Sequence, residues 1–267
     1  MYCGTGSASD PADNLAAMAA RLRASFSDRR LAALASLIGL SLLVAAMVAA
    51  RVVYTRTGDG GALVWNLVLA WIPFVLALLV YDGYRNARRR SLLLGLSVLW
   101  LLFFPNAPYI VTDFKHLRSW HGSPVWFDAL MITAAAWTGL LLGFISLYLM
   151  QSVVRRVFGA ANAWAFAVAV IVLGSFGIYL GRFQRWNSWD VVARPDELLR
   201  AIGGRLLHPV AHPGMFAVTI TFSAFLLAAY FVFYAFARLG AVGRSVDAPP
   251  HGLSPPATRP GGCWRRS

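Results

Sequence analysis

The sequence reads Phe103-Phe104-Pro105-Asn106-Ala107-Pro108-Tyr109-Ile110-Val111-Thr112-Asp113 where its third long apolar run ends. About 14 residues separate the start of that run from Pro105, and at ~1.5 Å per residue they cover ~20 Å of a bilayer core ~30 Å thick. The prolines remove two backbone donors and are expected to force Phe104 and Ala107 out of the helical conformation. The sequence therefore predicts a helix that breaks at Pro105 and Pro108 within the membrane.

Backbone that lacks helical hydrogen bonds is tolerated at this depth only where it is buried in protein or lines a watery cavity. We therefore expect Asn106 and Tyr109 to face a polar pocket and not the lipid.

Composition indicates a membrane protein. Of its 267 residues, 58% are hydrophobic and 13% are charged, whereas soluble domains carry about 25% charged residues. Each charge-free gap in the chain can hold the ~20 apolar residues of a spanning helix. The gaps lie between Arg30 and Arg51, Asp59 and Asp82, Arg90 and Asp113, Asp128 and Arg155, Arg156 and Arg182, and Arg205 and Arg238. This pattern predicts an all-α membrane protein with about six transmembrane helices within residues 31–238.

Three segments lie outside the predicted spans. Residues 1–30 are polar and basic, and residues 239–267 are rich in Pro, Gly and Arg. We expect a leader and a disordered tail. Between the fifth and sixth spans, Pro195-Asp196-Glu197 is typical of a helix start, and the leucines and isoleucine that follow form one apolar side. A short interfacial helix is predicted there.

Two pairs of glycines, Gly139 with Gly143 and Gly177 with Gly181, have the four-residue spacing that lets a neighbouring backbone approach closely. They predict tight packing of the fourth and fifth helices.

The partners expected from charge and cysteine content are few. The net charge is +13, but the arginines flank apolar spans, where they set topology and meet lipid headgroups. We therefore expect the lipid bilayer as partner and no nucleic acid. Only Cys3 and Cys263 are present, which gives no disulfide framework and no zinc site. No cofactor is expected, and oligomeric state is left open.

Topology brings the polar residues to one face. The side that holds both termini and residues 82–90 carries most of the Lys and Arg, so both termini are predicted to be cytoplasmic. The break, the start of the fourth helix and the exit from the fifth helix then share the opposite face. Candidate pocket residues there are Asn106, Tyr109, Asp113, His116, Asp128, Arg182, Arg185, Asn187 and Asp190.

Three strings carry a family resemblance. They are Phe-Pro-Asn-Ala-Pro-Tyr-Ile-Val-Thr-Asp followed by His116-Leu117, then Trp126-Phe127-Asp128, and Gly177-Ile-Tyr-Leu-Gly-Arg-Phe-Gln-Arg-Trp-Asn-Ser-Trp-Asp. They resemble the bacterial integral-membrane family catalogued as domain of unknown function 1361. The resemblance covers the second or third helix through the sixth. The resemblance implies a multi-pass protein of a bacterial inner membrane and no particular activity.

The charged candidates allow two interpretations. They cross-link helix ends, or they form a binding site, which is the default hypothesis for ionisable groups at membrane depth. Asp113 and His116 are three residues apart, and a metal would need further ligands from His121, Asp128 or Asp190; we do not expect a metal site. The tryptophans near Arg182 and Arg185 suit interface anchoring, or a sugar or phosphate headgroup.

Three functions remain open at this point. One is a carrier for a small solute or ion, with the break as its discontinuous element. Another is a membrane-embedded enzyme on a lipid-linked or envelope substrate, with Asp113 or Asp128 as general base and Arg182 and Arg185 binding an anion. The third is a structural or assembly subunit.

The topology can be tested by cysteine labelling. In a chain whose native cysteines are replaced by serine, we expect His116→Cys and Asn187→Cys to react with a membrane-impermeant maleimide from the same side, because both lie on the face opposite the termini. Labelling from opposite sides would contradict a shared pocket.

Overall fold

The structure is a computed structural model that describes the backbone of residues 11–118, 120, 122–184, 186, 193–207 and 213–246. Within this backbone, it describes the side chains of residues 30–117, 120, 122–184, 186, 193–197, 200–204 and 213–239. The helices are α1 (Pro11–Thr55), α2 (Gly61–Arg85), α3 (Arg90–Phe103), α4 (Asn106–Tyr109), a 3₁₀ helix (Ile110–Arg118), α5 (Val125–Phe158), α6 (Ala160–Phe183), α7 (Pro195–Leu207) and α8 (Pro213–Val246). The described residues contain no strand.

Among the residues that the structure describes, six helical segments are long and apolar enough to cross a membrane, and α3, α4 and the 3₁₀ helix together form the third. The predicted all-α architecture is therefore confirmed, with α7 as the short helix between the last two spans. Two helices are longer than predicted: α1 begins at Pro11 and α8 ends at Val246. The residues added to α1 are rich in Ala, Leu and Arg, which favour helix without needing an apolar environment.

The chain divides into two compact units, Met1–Leu227 and Ala228–Ser267. Within the first unit, α5 is the central helix. In its apolar membrane-spanning stretch, 61% of the residues are buried, whereas in that of α1 only 17% are buried. Helix α5 packs against α1, α2, α6 and the interrupted third span. In that span, Phe104, Ala107 and Ile110 are buried, so the interruption lies in the protein interior.

The third span is interrupted without losing its helical dihedral angles. Phe104 has φ −52° and ψ −41°, Pro105 has φ −57° and ψ −27°, and Ala107 lies inside α4. The prediction that Phe104 and Ala107 leave the helical conformation is therefore wrong. The preference against helix before proline is a bias that proline-kinked helices override. The chain instead tightens and continues as a 3₁₀ helix.

Local hydrogen bonds compensate for the donors that the prolines lack. The carbonyl of Phe104 would normally accept from the nitrogen of Pro108, and it accepts instead from Ala107 N at 3.2 Å. This shift leaves the carbonyl of Phe103 without its usual donor. The side-chain amide of Asn106 donates to it at 3.1 Å. Donors within the break thus satisfy the carbonyl groups of Phe103 and Phe104, which lack their usual helical donors.

Both glycine pairs pack against this interruption. A Cβ atom on Gly139 of α5 would lie 2.5 Å from the carbonyl oxygen of Ala107, and one on Gly177 of α6 would lie 2.7 Å from Cγ of Pro105. Gly143 and Gly181 make similar approaches at 3.2 Å to Cβ of Ala107 and Cε2 of Tyr109. The close approach predicted from the spacing therefore brings α5 and α6 to the break from two sides.

We expect Gly139→Ala to destabilise the protein by about 1–3 kcal/mol, because the added methyl group meets a backbone carbonyl that cannot rotate away. The matched control is Gly95→Ala in α3, where a Cβ meets nothing within 4 Å and a gain of about 0.5–1 kcal/mol in helix propensity is expected. Unfolding in detergent or bicelles measures both. Equal effects at the two positions would contradict the packing described.

Candidate functional site

An ion pair connects the 3₁₀ helix to the end of α6. Nη2 of Arg182 donates to Oδ1 of Asp113, and Nε of Arg182 donates to Oγ1 of Thr112 at 2.6 Å. The Arg182 and Asp113 side chains are only 9% and 5% exposed. Asn66, near the start of α2, donates from Nδ2 to the second carboxylate oxygen of Asp113 at 2.9 Å. Three chain segments are therefore held together at one carboxylate.

The guanidinium of Arg182 also lies over the ring of Tyr109, with Cζ 4.6 Å from the ring centroid. This geometry is a cation–π contact, which is strengthened when the cation is partly withdrawn from water. Because Gly181 lets the Tyr109 ring approach α6, the same glycine pairing that packs the break also aligns this contact.

A second ion pair lies at the start of α5. Nε of Arg51 donates to Oδ1 of Asp128 at 2.8 Å, and Oγ of Ser123 donates to Oδ2 at 2.6 Å. The side chains of Arg51 and Asp128 are 0% and 3% exposed. Nη1 of Arg51 also donates to the carbonyl of Asp59 at 3.2 Å, so this cation joins the end of α1 to the turn before α2.

Stacked rings bridge the two ion pairs. Nε2 of His116 is 3.9 Å from Oδ1 of Asp113, as expected for residues three apart in a 3₁₀ helix, where they lie on one side. The His116 ring stacks on Trp120 at 5.7 Å between centroids. Trp120 also contacts Arg51, whose Cζ lies 4.8 Å from the centroid of the Trp120 ring. The two carboxylates thus belong to one connected network across this end of the bundle.

The sequence-based candidates separate into groups. Tyr109, Asp113, His116 and Arg182 meet at the first ion pair. Asp128 belongs to the second pair and reaches the first only through the stacked rings. Arg185, Asn187 and Asp190 lie outside the described residues.

Arg51 and Asn66 were missed by sequence reasoning. Arg51 is the first charge after a long apolar run, and Asn66 is the one amide within the apolar run of α2. Both features are visible in the sequence, but neither identifies the residue to which the side chain binds.

A cavity of about 490 Å³ lies beside the Arg182–Asp113 pair, between α2, α3, the break and α6. Asn106 and Tyr109 are in its wall, whereas Asp113 and Arg182 are not. Its wall is formed by Trp65, Asn66, Leu69, Val98, Leu101, Leu102, Phe103, Pro105, Asn106, Tyr109, Leu173, Phe176, Gly177, Leu180, Gly181, Trp186 and Ile202. Tyr109 and Asn66 therefore belong both to the ion-pair network and to the cavity wall.

The cavity has a polar end and an apolar end. Asn66, Asn106 and Tyr109 lie where α2 begins and where the third span breaks, while Val98 and Leu173 lie earlier in α3 and α6, deeper in the span. From Leu173 to Gly181 the helix rises by about 12 Å. The cavity therefore extends from the polar end of the bundle into the depth of the membrane.

Among the described side chains, no three His, Cys, Asp or Glu residues gather closely enough to hold a metal ion.

The buried pair can be tested by a double-mutant cycle. We expect Asp113→Asn or Arg182→Gln alone to cost about 3–5 kcal/mol, because each leaves an uncompensated buried charge. The double variant should cost less than the sum of the two. The exposed Asp196–Arg200 pair of α7, with side chains 67% and 76% exposed, is the control, and Asp196→Asn with Arg200→Gln should show no measurable loss. Additive losses at Asp113 and Arg182 would contradict the ion pair.

No curated protein and no solved structure matches the chain. The family described as Protein of unknown function (DUF1361) matches residues 65–229. That match spans the break, both glycine pairs, the Arg182–Asp113 pair and every residue of the cavity wall, whereas Arg51 precedes it. Because more than half of the chain lies within the match, this multi-pass membrane protein belongs to the DUF1361 family.

Proposed function

We propose that the protein binds a membrane amphiphile, a lipid or lipid-linked molecule, in the cavity between α2, α3 and α6. The headgroup lies against Asn66, Asn106 and Tyr109, and the hydrocarbon chain extends along α3 and α6. The proposal refines one possibility left open by the sequence, that of a lipid-linked ligand. The main observation in its support is that the cavity has a polar end and an apolar end.

The size and lining of the cavity support this ligand class. Ligand sites typically enclose about 300–1,000 Å³ and combine apolar walls with a few polar groups that fix orientation. The volume of about 490 Å³ fits a headgroup with the first part of a chain. The amides and the phenol at one end supply hydrogen-bonding groups to the headgroup, while the leucine and phenylalanine side chains suit methylene groups.

Lateral access supports a ligand that arrives from the bilayer. Val98 of α3 is 70% exposed and Leu173 of α6 is 53% exposed, and both belong to the cavity wall. Within a membrane, such exposed apolar residues face lipid chains and not water. A hydrocarbon chain can therefore enter between these two helices without crossing an aqueous phase.

An ion carrier receives less support. Among the described wall residues there is no carboxylate, lysine, arginine or histidine. The carboxylate of Asp113 accepts from Arg182 and Asn66, and that of Asp128 accepts from Arg51 and Ser123. These partners already engage the two carboxylates that an enzyme would need as a general base. This favours a binding protein over an enzyme that uses Asp113 or Asp128 in catalysis.

We further infer that the polar end of the cavity faces the extracytoplasmic side. The excess of Lys and Arg on the side of the termini supports this orientation through the positive-inside rule. The ligand would then be drawn from the outer leaflet.

Photolabelling tests the proposal. A diacyl lipid with a diazirine on one chain is incorporated into nanodiscs with the protein, and labelled residues are mapped by mass spectrometry. We expect labels concentrated on the walls of the cavity. Leu69→Trp should lower this labelling several-fold, because the larger ring fills the cavity. The matched control is Leu79→Trp in the same helix, at a lipid-facing residue that is 52% exposed and outside the wall.

Labels spread evenly over all lipid-facing surfaces would contradict the proposal. Equal labelling of the Leu69→Trp and Leu79→Trp proteins would also contradict it, provided that both remain folded by circular dichroism.

A further inference from the structure

We infer that the headgroup recognised at the polar end of this cavity is uncharged and rich in hydroxyl groups, as in a glycosyl lipid, and not a phosphate. The inference rests on the proposed function and adds to it the chemical class of the ligand. It follows from the charge balance around the cavity, from its hydrogen-bonding groups and from its two tryptophans.

Two described arginines beside the polar end, Arg182 and Arg194, each face a carboxylate. Arg182 lies beside the cavity, but its guanidinium is paired with the carboxylate of Asp113. Arg194 lies over the ring of Trp186, with Cζ 5.2 Å from the centroid, and its Nη1 is 3.6 Å from a carboxylate oxygen of Glu197. Each of these two cations therefore already has an anionic partner.

A phosphate headgroup fits such an environment poorly. Moving an anion out of water is costly unless a cation or several charge-assisted hydrogen bonds replace the lost hydration. Phosphate sites in proteins usually provide arginine or lysine for this reason. A phosphate at Asn106 would have to share Arg182 with the buried carboxylate of Asp113, which would place two anions close together.

A hydroxyl-rich headgroup fits the same groups well. The side chains of Asn66 and Asn106 and the phenol of Tyr109 combine donors and acceptors, which match hydroxyl groups that both donate and accept. Such a headgroup loses only neutral hydrogen bonds to water when it enters, and neutral hydrogen bonds can replace them.

The tryptophans of the wall supply the apolar faces that a sugar ring requires. Trp65 on α2 and Trp186 after α6 both line the polar end. Indole combines a flat apolar face with a single polar group, and the C–H face of a pyranose ring packs on such a surface. Trp65 is 58% exposed, so its ring is available. Interface anchoring explains an exposed tryptophan equally well, and Trp137 on α5, 59% exposed but outside the wall, provides the comparison.

Competition against the diazirine lipid tests the inference in nanodiscs. Three competitors share the same acyl chains: monoglucosyl diacylglycerol, phosphatidylglycerol and diacylglycerol. We expect the glucosyl lipid to compete roughly tenfold better than either of the others, a difference of one decade in affinity. A glucosyl prenol without phosphate is the fourth competitor and distinguishes a prenyl from a diacyl anchor; strong competition by either glucosyl lipid supports the inference.

Tryptophan variants provide a second test of the headgroup assignment in the same competition experiment. Trp65→Leu should weaken competition by the glucosyl lipid several-fold more than competition by diacylglycerol, and Trp65→Phe should restore part of this difference. Trp137→Leu should change neither.

The outcomes separate the two proposals. If phosphatidylglycerol competes as well as the glucosyl lipid, or if Trp65→Leu behaves like Trp137→Leu, the headgroup assignment is overturned while lipid binding stands. If no competitor reduces labelling of the cavity, both proposals fail.

Discussion

The contact between the carbonyl oxygen of Ala107 and the backbone of Gly139 is the constraint on which the rest of this bundle depends. No other residue type could occupy position 139 without moving the interrupted span, since even a methyl group would lie 2.5 Å from that oxygen. The glycines of α6 allow the same approach from the other side. Pro108 is thereby buried between helices and Pro105 packs against Gly177, so the irregular backbone in the middle of this span lies against protein, where it is tolerated.

The functional geometry follows from this close approach. Because α6 comes near the break, Arg182 reaches Asp113 and the ring of Tyr109. Because α2 packs against the break as well, Asn66 reaches the same carboxylate. The side of the break away from α5 contributes to the cavity, so the ion-pair network and the cavity are two sides of one structural element. The charged residues hold the helices together, and the described cavity wall is formed by neutral residues.

The sequence predicted what depends on local pattern. Charge-free gaps identified the six spans, the prolines located the interruption, and the glycine spacing indicated close packing. The prediction for Phe104 was wrong, because the conformational bias before proline is weaker than the cost of leaving backbone hydrogen-bonding groups unpaired within a helix bundle. Arg51 and Asn66 were also missed, since the partner of a polar side chain depends on which helices become neighbours. The cavity was not predictable as a shape, because residues from four separate helices and from the break form its wall.

The most direct measurement is an electron cryomicroscopy map of the protein in nanodiscs prepared from native membrane lipids. We expect elongated density between α2, α3 and α6, with its wider end against Asn106 and Tyr109 and its narrow end beside Leu173. A map in which side chains from a rearranged third span fill this space, with the break separated from Gly139, would contradict both the cavity and the packing that creates it.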